Sequence, residues 1–224
     1  MNQKIQILST RTLSDEQRKL FENSEITLIE KDFIEIETID FQLKKLPTLL
    51  LFTSQNAVYS VLKNEKCEEL KNIPSICVGI KTRKKLEENG FKVLYHTNYA
   101  KDLAPIILEN FANDNISFFS GNLRRDILPL AMQNAQIKFD EYLVYQNKLK
   151  TYKIPENVDG MLFFSPSGVE SYLKENTISK ETCFCIGTTT AEALVETTNN
   201  YKIANEQTIE SVIKTCIKHF GRKS

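Results

Sequence analysis

The sequence predicts an α/β protein of two similar domains, each a mostly parallel sheet covered by helices, joined by a two-stranded linker. Three observations point there. Short apolar runs rich in Ile, Leu, Val and Phe alternate with segments of helical period, the pattern of repeated strand–helix–strand units. Two further segments alternate apolar and polar residues with no helical partner, as half-exposed strands do. Finally, a strand, a hydroxyl-rich turn and a helix start occur twice in similar wording. A chain of 224 residues, 41% hydrophobic and 26% charged, can bury a substantial core, and its length suits one large domain or two small ones.

Taken in order, strands are predicted at residues 4–8, 26–29, 48–52, 75–79, 92–95, 116–119, 160–164, 182–186 and 201–204. Helices are predicted at 15–22, 57–63, 82–89, 102–111, 169–175, 191–198 and 208–219. Nine strands are many for one sheet in a chain this short. The two alternating segments are Phe33-Ile-Glu-Ile-Glu-Thr-Ile39 and Lys138-Phe-Asp-Glu-Tyr-Leu-Val-Tyr145. They read as outgoing and returning crossings, linker strands at 33–39 and 138–146. These enclose a central domain at 40–137 within a discontinuous one made of 1–34 plus 146–224. A single sheet with two edge strands also accounts for the alternation. The echo favours two domains: Leu51-Phe-Thr-Ser-Gln-Asn-Ala-Val58 parallels Phe163-Phe-Ser-Pro-Ser-Gly-Val169. In the same order, Ile76-Cys-Val-Gly79 with Thr82 parallels Cys185-Ile-Gly187 with Thr188, Thr189 and Thr190.

Composition excludes several function classes. Lys plus Arg and Asp plus Glu number 29 each, so no global charge attracts nucleic acid or an anionic membrane surface. The opening MNQKIQILSTR lacks a secretory signal pattern, and no run approaches a membrane span, which makes a cytoplasmic protein the expectation. Cys67, Cys77, Cys183, Cys185 and Cys216 read as buried free thiols. Cys183 and Cys185 share a strand face, but no second pair stands at metal-ligand spacing, so no metal is assigned. With only His96 and His219, a Ser-His-Asp or Cys-His pair has little material. Neither a G-x-x-x-x-G-K-S/T run nor a G-x-G-x-x-G is present, which demotes nucleotide binding.

Ligands of parallel α/β sheets bind beyond the carboxyl ends of strands, where helix N-termini offer N–H groups to an anion. Those positions are loaded with hydroxyls, glycines and cations. Ser9, Thr10 and Arg11 follow the first strand; Thr53, Ser54 and Asn56 follow Phe52; Gly79, Lys81 and Thr82 follow Val78. Later come Ser120, Gly121, Arg124 and Arg125, then Ser165, Ser167 and Gly168, then Gly187 to Thr190. Helix capping uses the same residues and explains any single loop. Six such loops on one side of the strands imply an anionic or polar ligand, without naming it.

The stretch Phe163-Phe-Ser-Pro-Ser-Gly-Val169, followed by Ile186-Gly-Thr-Thr-Thr-Ala191, resembles the uroporphyrinogen-III synthases in wording and spacing. Leu8-Ser-Thr-Arg11, Leu51-Phe-Thr-Ser54, Val78-Gly79 with Thr82, Gly121 with Arg125, and Val144-Tyr145 fall in family order, so the resemblance spans nearly the whole chain. It implies two flavodoxin-like or related domains joined by paired strands, with the active site in the cleft between them. The implied reaction is cyclisation of hydroxymethylbilane with inversion of its last pyrrole ring and loss of water, a step of haem biosynthesis needing no metal or organic cofactor. Tyr145 matches the family's cleft tyrosine, the candidate proton donor to the leaving hydroxyl; a phenol stays protonated near neutrality. Ser54, Thr82, Ser165, Thr189 and Thr190 fall on cleft positions as carboxylate contacts, with Gly79, Gly168 and Gly187 permitting close backbone approach. Thr10, Thr53, Lys81, Ser167, Thr188 and Gly121 join them as loop contacts, with Arg11 and Arg125 as the weaker pair. A monomer, receiving substrate by hand-over from the preceding deaminase, is expected.

Three positions depart from the family's wording: Thr12 follows Arg11 where proline is common, Arg83 follows Thr82 where a small residue is common, and Ser120 precedes Gly121 where arginine is common. The rival from another class is a two-domain binding protein that closes on an anionic small molecule without catalysis.

Overall fold

In the computed structural model, residues 5–154 and 157–221 are described; Lys4, expected to begin the first strand, lies outside them. The chain divides into two compact units, 1–35 with 148–224, and 36–147.

The discontinuous unit is built on a five-stranded parallel sheet of β1 (Ile5–Ser9), β2 (Ile26–Glu30), β9 (Gly160–Phe163), β10 (Thr182–Cys185) and β11 (Tyr201–Ile203). Their order across the sheet is β2-β1-β9-β10-β11. The central strands β9 (GMLF) and β10 (TCFC) are buried at every position, as strands covered on both faces must be. Side chains alternate between two cores. Leu8, Met161, Phe163, Cys183 and Cys185 pack with Val169 and Tyr172 of α7 (Pro166–Leu173), Ala191 of α8 (Thr188–Glu192) and Leu194 just beyond it. Ile7, Leu162 and Phe184 pack on the other side with Val212, Ile213 and Cys216 of α9 (Ile209–Phe220). The short α1 (Asp15–Lys19) begins at a capping box in which Ser14 and Gln17 exchange hydrogen bonds.

The central unit carries a six-stranded sheet of β3 (Ile34–Thr38), β4 (Leu49–Phe52), β5 (Ser75–Val78), β6 (Val93–Thr97), β7 (Ile116–Gly121) and β8 (Phe139–Leu149). The order is β3-β8-β7-β4-β5-β6, with parallel pairing from β8 to β6. Leu50, Phe52, Cys77 and Phe119 face α2 (Gln55–Leu62), α3 (Cys67–Lys71) and α4 (Ile80–Glu88). Leu49, Leu51, Ile76 and Phe118 face α5 (Ala100–Asn110) and α6 (Ile127–Asn134).

The two parallel sheets share one layout entered at different points. Read across, β8-β7-β4-β5-β6 matches β2-β1-β9-β10-β11. The helices follow suit: α2 and α4 correspond to α7 and α8 on one face, and α6 and α5 to α1 and α9 on the other. The sequence echo covers two strands and the starts of two helices, β4–α2 and β5–α4 against β9–α7 and β10–α8, within the stretch whose chain order is the same in both units. In the discontinuous unit, the pair β1–β2 comes before the excursion, so the rest of the likeness is permuted and invisible to a forward reading.

Both segments read as linker strands are members of the six-stranded sheet: β8 pairs with β7 from Ile116 to Gly121, and β3 lies beyond β8. The unit boundaries, at 35/36 and 147/148, fall within these same two strands. Helices α3 and α6 were not predicted. In α6 the sequence Ile-Leu-Pro-Leu-Ala-Met-Gln-Asn places Pro129 in the first turn, where its missing N–H costs nothing.

All five cysteines are buried free thiols, and burial pushes Cys77, Cys183, Cys185 and Cys216 up to about 12. The native chain is therefore expected to resist alkylation at pH 8, all five thiols reacting only on unfolding. Immediate labelling of two or more native thiols would contradict this packing. Because these pKa values rise on folding, their contribution to stability is complete below the unfolded thiol value. It is lost as pH climbs towards about 12.

Candidate functional site

In the central unit, four strand ends and the middle of a fifth strand meet around one concavity of about 460 Å3. Thr53 and Ser54 follow β4, Val78 ends β5, Asn98 to Lys101 follow β6, Leu123 to Arg125 follow β7, and Tyr145 comes from β8. Among the described residues, no carboxylate lines it.

Tyr145 reaches this place because of a register shift. Regular alternation would put it on the side of Leu143, which is 45% exposed. Between Ser120 and Gly121, however, the pairing jumps: Ser120 opposes Leu143 while Gly121 opposes Tyr145. Such a bulge turns the following side chain, and Tyr145, 9% exposed, packs with the cluster containing Phe119 and Val144. Its ring lies directly on Gly121. A Cβ there would stand 2.7 Å from Tyr145 Oη and closer still to the ring carbons, so glycine is required by close approach. The Tyr145 hydroxyl makes no hydrogen bond to another described residue.

The loop after β7 is pinned at both ends. Asn122 Oδ1 accepts from the Asn147 N–H at 2.8 Å. Arg124 grips Glu141 through Nε and Nη2 and reaches Asp126 through Nη1, while Ser120 Oγ donates to Glu141 Oε1 at 2.6 Å. The hydrogen bond to Glu141 holds the Arg124 pKa above its ordinary value, so this arginine is a structural clamp. Arg125 is exposed and forms no ion pair with a described residue. Ser54 caps α2 by accepting from the Asn56 N–H at 3.1 Å, which leaves its own proton to donate.

The structure thus brings Tyr145, Thr53, Ser54 and Arg125 together, with Gly121 beneath the phenol. Gly79, Lys81 and Thr82 stay outside the lining. Gly79 turns the chain at φ +90° and commits its N–H to Thr97 O at 2.7 Å; Thr82 is buried and Lys81 exposed.

The discontinuous unit gathers its candidates at corresponding strand ends. Thr10 Oγ1 donates to Leu162 O at 2.7 Å, tying β1 to β9. Ser165 Oγ accepts from Gly168 N at 3.1 Å and lies 3.1 Å from Ser167 Oγ. A Cβ on Gly168 would stand 3.6 Å from Thr10 Oγ1, so these loops adjoin. The Arg11 guanidinium sits over the Phe164 ring, 5.9 Å from its centroid. At the start of α8, Thr188 and Thr189 are exposed and Thr190 is buried, following Gly187 in extended backbone.

The departures from the family's wording have local partners. Thr12 donates its N–H and hydroxyl to Asp32, at 2.7 and 2.8 Å, the first of which a proline could not do. Ser120 holds Glu141, and Arg83 bonds Glu87 at 2.8 Å and meets His96 Nδ1 at 3.2 Å.

Sequence reasoning missed the loop after β6, with Asn98, Tyr99 and Lys101, and Gln207, whose amide lies 3.3 Å from where Gly187 would carry a Cβ. A signal existed: each residue follows the third strand of a repeated set whose first two loops had been singled out. Glu141 was not legible, since its partners lie 17 and 21 residues away.

The family model described as uroporphyrinogen-III synthase HemD matches residues 15–214. Among solved structures, uroporphyrinogen-III synthetase from Helicobacter pylori aligns with TM-score 0.75 at 22% identity, covering 96% of this chain and 99% of that one. A mutant uroporphyrinogen III synthase from the extremely thermophilic bacterium Thermus thermophilus aligns with TM-score 0.65 at 15% identity, covering 98% and 100%. No curated protein sequence matches. At these identities the structures establish the shared fold. The family model, spanning most of the sequence, establishes kinship: the chain belongs to the uroporphyrinogen-III synthase family.

Proposed function

We propose that this chain closes hydroxymethylbilane to uroporphyrinogen III with Tyr145 as the proton donor. Family membership makes it an enzyme of haem biosynthesis acting on a small molecule. The observation that supports Tyr145 is its placement: among the described residues its phenol has no hydrogen-bond partner, and the concavity it lines carries hydroxyls and cations and no carboxylate.

In the proposed reaction the phenolic proton passes to the terminal hydroxyl, the C–O bond breaks, and water leaves. The pyrrole nitrogen's electron pair stabilises the resulting electrophile. The substituted carbon of the last ring attacks, giving a spiro intermediate; its original bond to the neighbouring ring's methylene breaks, and the ring's one unsubstituted α-carbon closes onto that methylene, the proton released on rearomatisation restoring the phenol. Substrate equals product plus water; the carbon that loses the hydroxyl is formally reduced by as much as the ring carbon that loses its hydrogen is oxidised, so no electron carrier enters the balance. Elimination of water by C–O cleavage makes the chain a lyase.

Unassisted closure gives the uninverted isomer, so the protein's task is to impose geometry on a reactive substrate. The substrate's eight carboxylates suit N–H groups, hydroxyls and isolated cations. Thr53, Ser54 and Arg125 serve here, and the loops with Ser165, Ser167, Gly168 and Thr188 to Thr190 offer groups of the same kind. The reading includes a cytoplasmic monomer supplied directly by the preceding deaminase, which would limit spontaneous closure. Among the described residues no helix is long and apolar enough to cross a membrane.

The test is to supply freshly generated hydroxymethylbilane with and without the chain, oxidise the products, and separate type I from type III uroporphyrin by chromatography. A shift to type III is expected. Unchanged type I product from folded protein would overturn the reading and leave the non-catalytic binding protein.

A further inference from the structure

The concavity in the central unit has features that Tyr145 and the hydroxyl loops do not explain. Its β6 side is formed by Asn98, Tyr99 and Lys101. Tyr99 is 64% exposed, and Leu123 and Ile127, on the same concavity, are 61% and 40% exposed. Single exposed apolar side chains need no explanation, but three around one hollow make an apolar rim that water solvates poorly. Two cations accompany them. The Lys101 ammonium lies over the Tyr99 ring, 5.7 Å from its centroid, and Arg125 stands on the β7 side. Among the described residues neither has an ion-pair partner, and none that lines the hollow is a carboxylate. Arg124, the third cation, is already neutralised by Glu141 and Asp126.

An apolar rim with two unneutralised cations fits a flat, electron-rich ring bearing two anionic arms. Each pyrrole of the substrate is such a group, with two carboxylate-bearing arms on adjacent ring carbons. The volume of about 460 Å3 is within the range of about 300–1,000 Å3 for small-ligand pockets, but small for a whole linear tetrapyrrole. Resting on the function proposed above, the geometry points to the loop between β6 and α5 as a substrate-holding element. Tyr99 covers one pyrrole face, and Lys101 and Arg125 take that ring's two carboxylate arms. This loop thereby sets how one ring is held while Tyr145 acts.

The test uses the full chain with Lys101→Met, Lys101→Arg and Tyr99→Ala. Both residues are exposed, and Tyr99 makes no side-chain cap to α5, so thermal unfolding is expected to stay near wild type. For Lys101→Met, KM for hydroxymethylbilane is expected to rise about tenfold, as loss of one charge-assisted hydrogen bond predicts, with kcat within about twofold. Lys101→Arg should recover most of the affinity, and Tyr99→Ala should raise KM several-fold. Added salt should narrow the gap between wild type and Lys101→Met. A wild-type chain making type III product, with KM for Lys101→Met unchanged, overturns this inference alone. So does Lys101→Arg as impaired as Lys101→Met, which would make the role steric. Wild type yielding only type I product overturns the activity and this inference together.

Discussion

Replacing Tyr145 by Phe is expected to lower kcat by a hundredfold or more, the usual scale of about 10²–10⁴ for a lost general acid, with KM within about threefold. The side chain is 9% exposed and packs with the Phe119 and Val144 cluster, so phenylalanine keeps the packing and removes only the oxygen. Because that oxygen has no hydrogen-bond partner among the described residues, its loss leaves no protein donor or acceptor stranded, and stability should hardly change. Rapid-quench measurement of hydroxymethylbilane consumption, with type III product resolved by chromatography, separates turnover from spontaneous closure. A variant with unchanged kcat would remove Tyr145 from proton donation and leave it as a packing residue.

The second large effect is expected at Gly121, through the same phenol. An alanine Cβ would collide with the Tyr145 ring, so either the ring swings away or β7 and β8 separate at the bulge. Overpacking of this kind costs about 1–3 kcal/mol, read as a lower unfolding midpoint. Turnover should fall nearly as far as in Tyr145→Phe, because a displaced phenol no longer meets the departing hydroxyl. A double-mutant cycle decides the cause: if Gly121 acts by seating Tyr145, then adding Gly121→Ala to Tyr145→Phe should cost little further activity. Full additivity of the two losses would instead give Gly121 its own contact with substrate, the role its sequence position suggests.

The candidate site was legible in part. Thr53, Ser54 and Arg125 stand out as hydroxyls and a cation after apolar runs, and the structure puts them around one concavity. Gly79 and Thr82 carry the same signal, yet both lie outside the lining and the Gly79 N–H closes on Thr97 O, because a loop's wording does not say whether its N–H closes a turn or faces a ligand. The loop of Tyr99 and Lys101 went unread since its strand, VLYHT, lies at the sheet edge and its apolar side chains Leu94 and Tyr95 are exposed. That weakens the contrast that draws attention to a strand end.

By itself the sequence determined the strands, seven of the helices and the α/β class. Short, fully apolar tetrads such as LLLF and GMLF, bounded by turn residues, read as central strands covered on both faces, and their alternation with amphipathic helices points to parallel sheets. It also determined two supersecondary units of similar wording, because local strand–turn–helix chemistry is written in adjacent residues. Only the tertiary structure decided that the likeness between the two units extends to five strands in permuted order, since permutation is a relation between distant segments. Only it decided that β3 and β8 join a sheet, because alternation marks a half-exposed strand without naming its neighbour. The one-residue bulge opposite Gly121 is the sharpest case. Period-two reading of residues 138–145 sends Tyr145 to the side of exposed Leu143, and a single unpaired residue brings the phenol to the site instead.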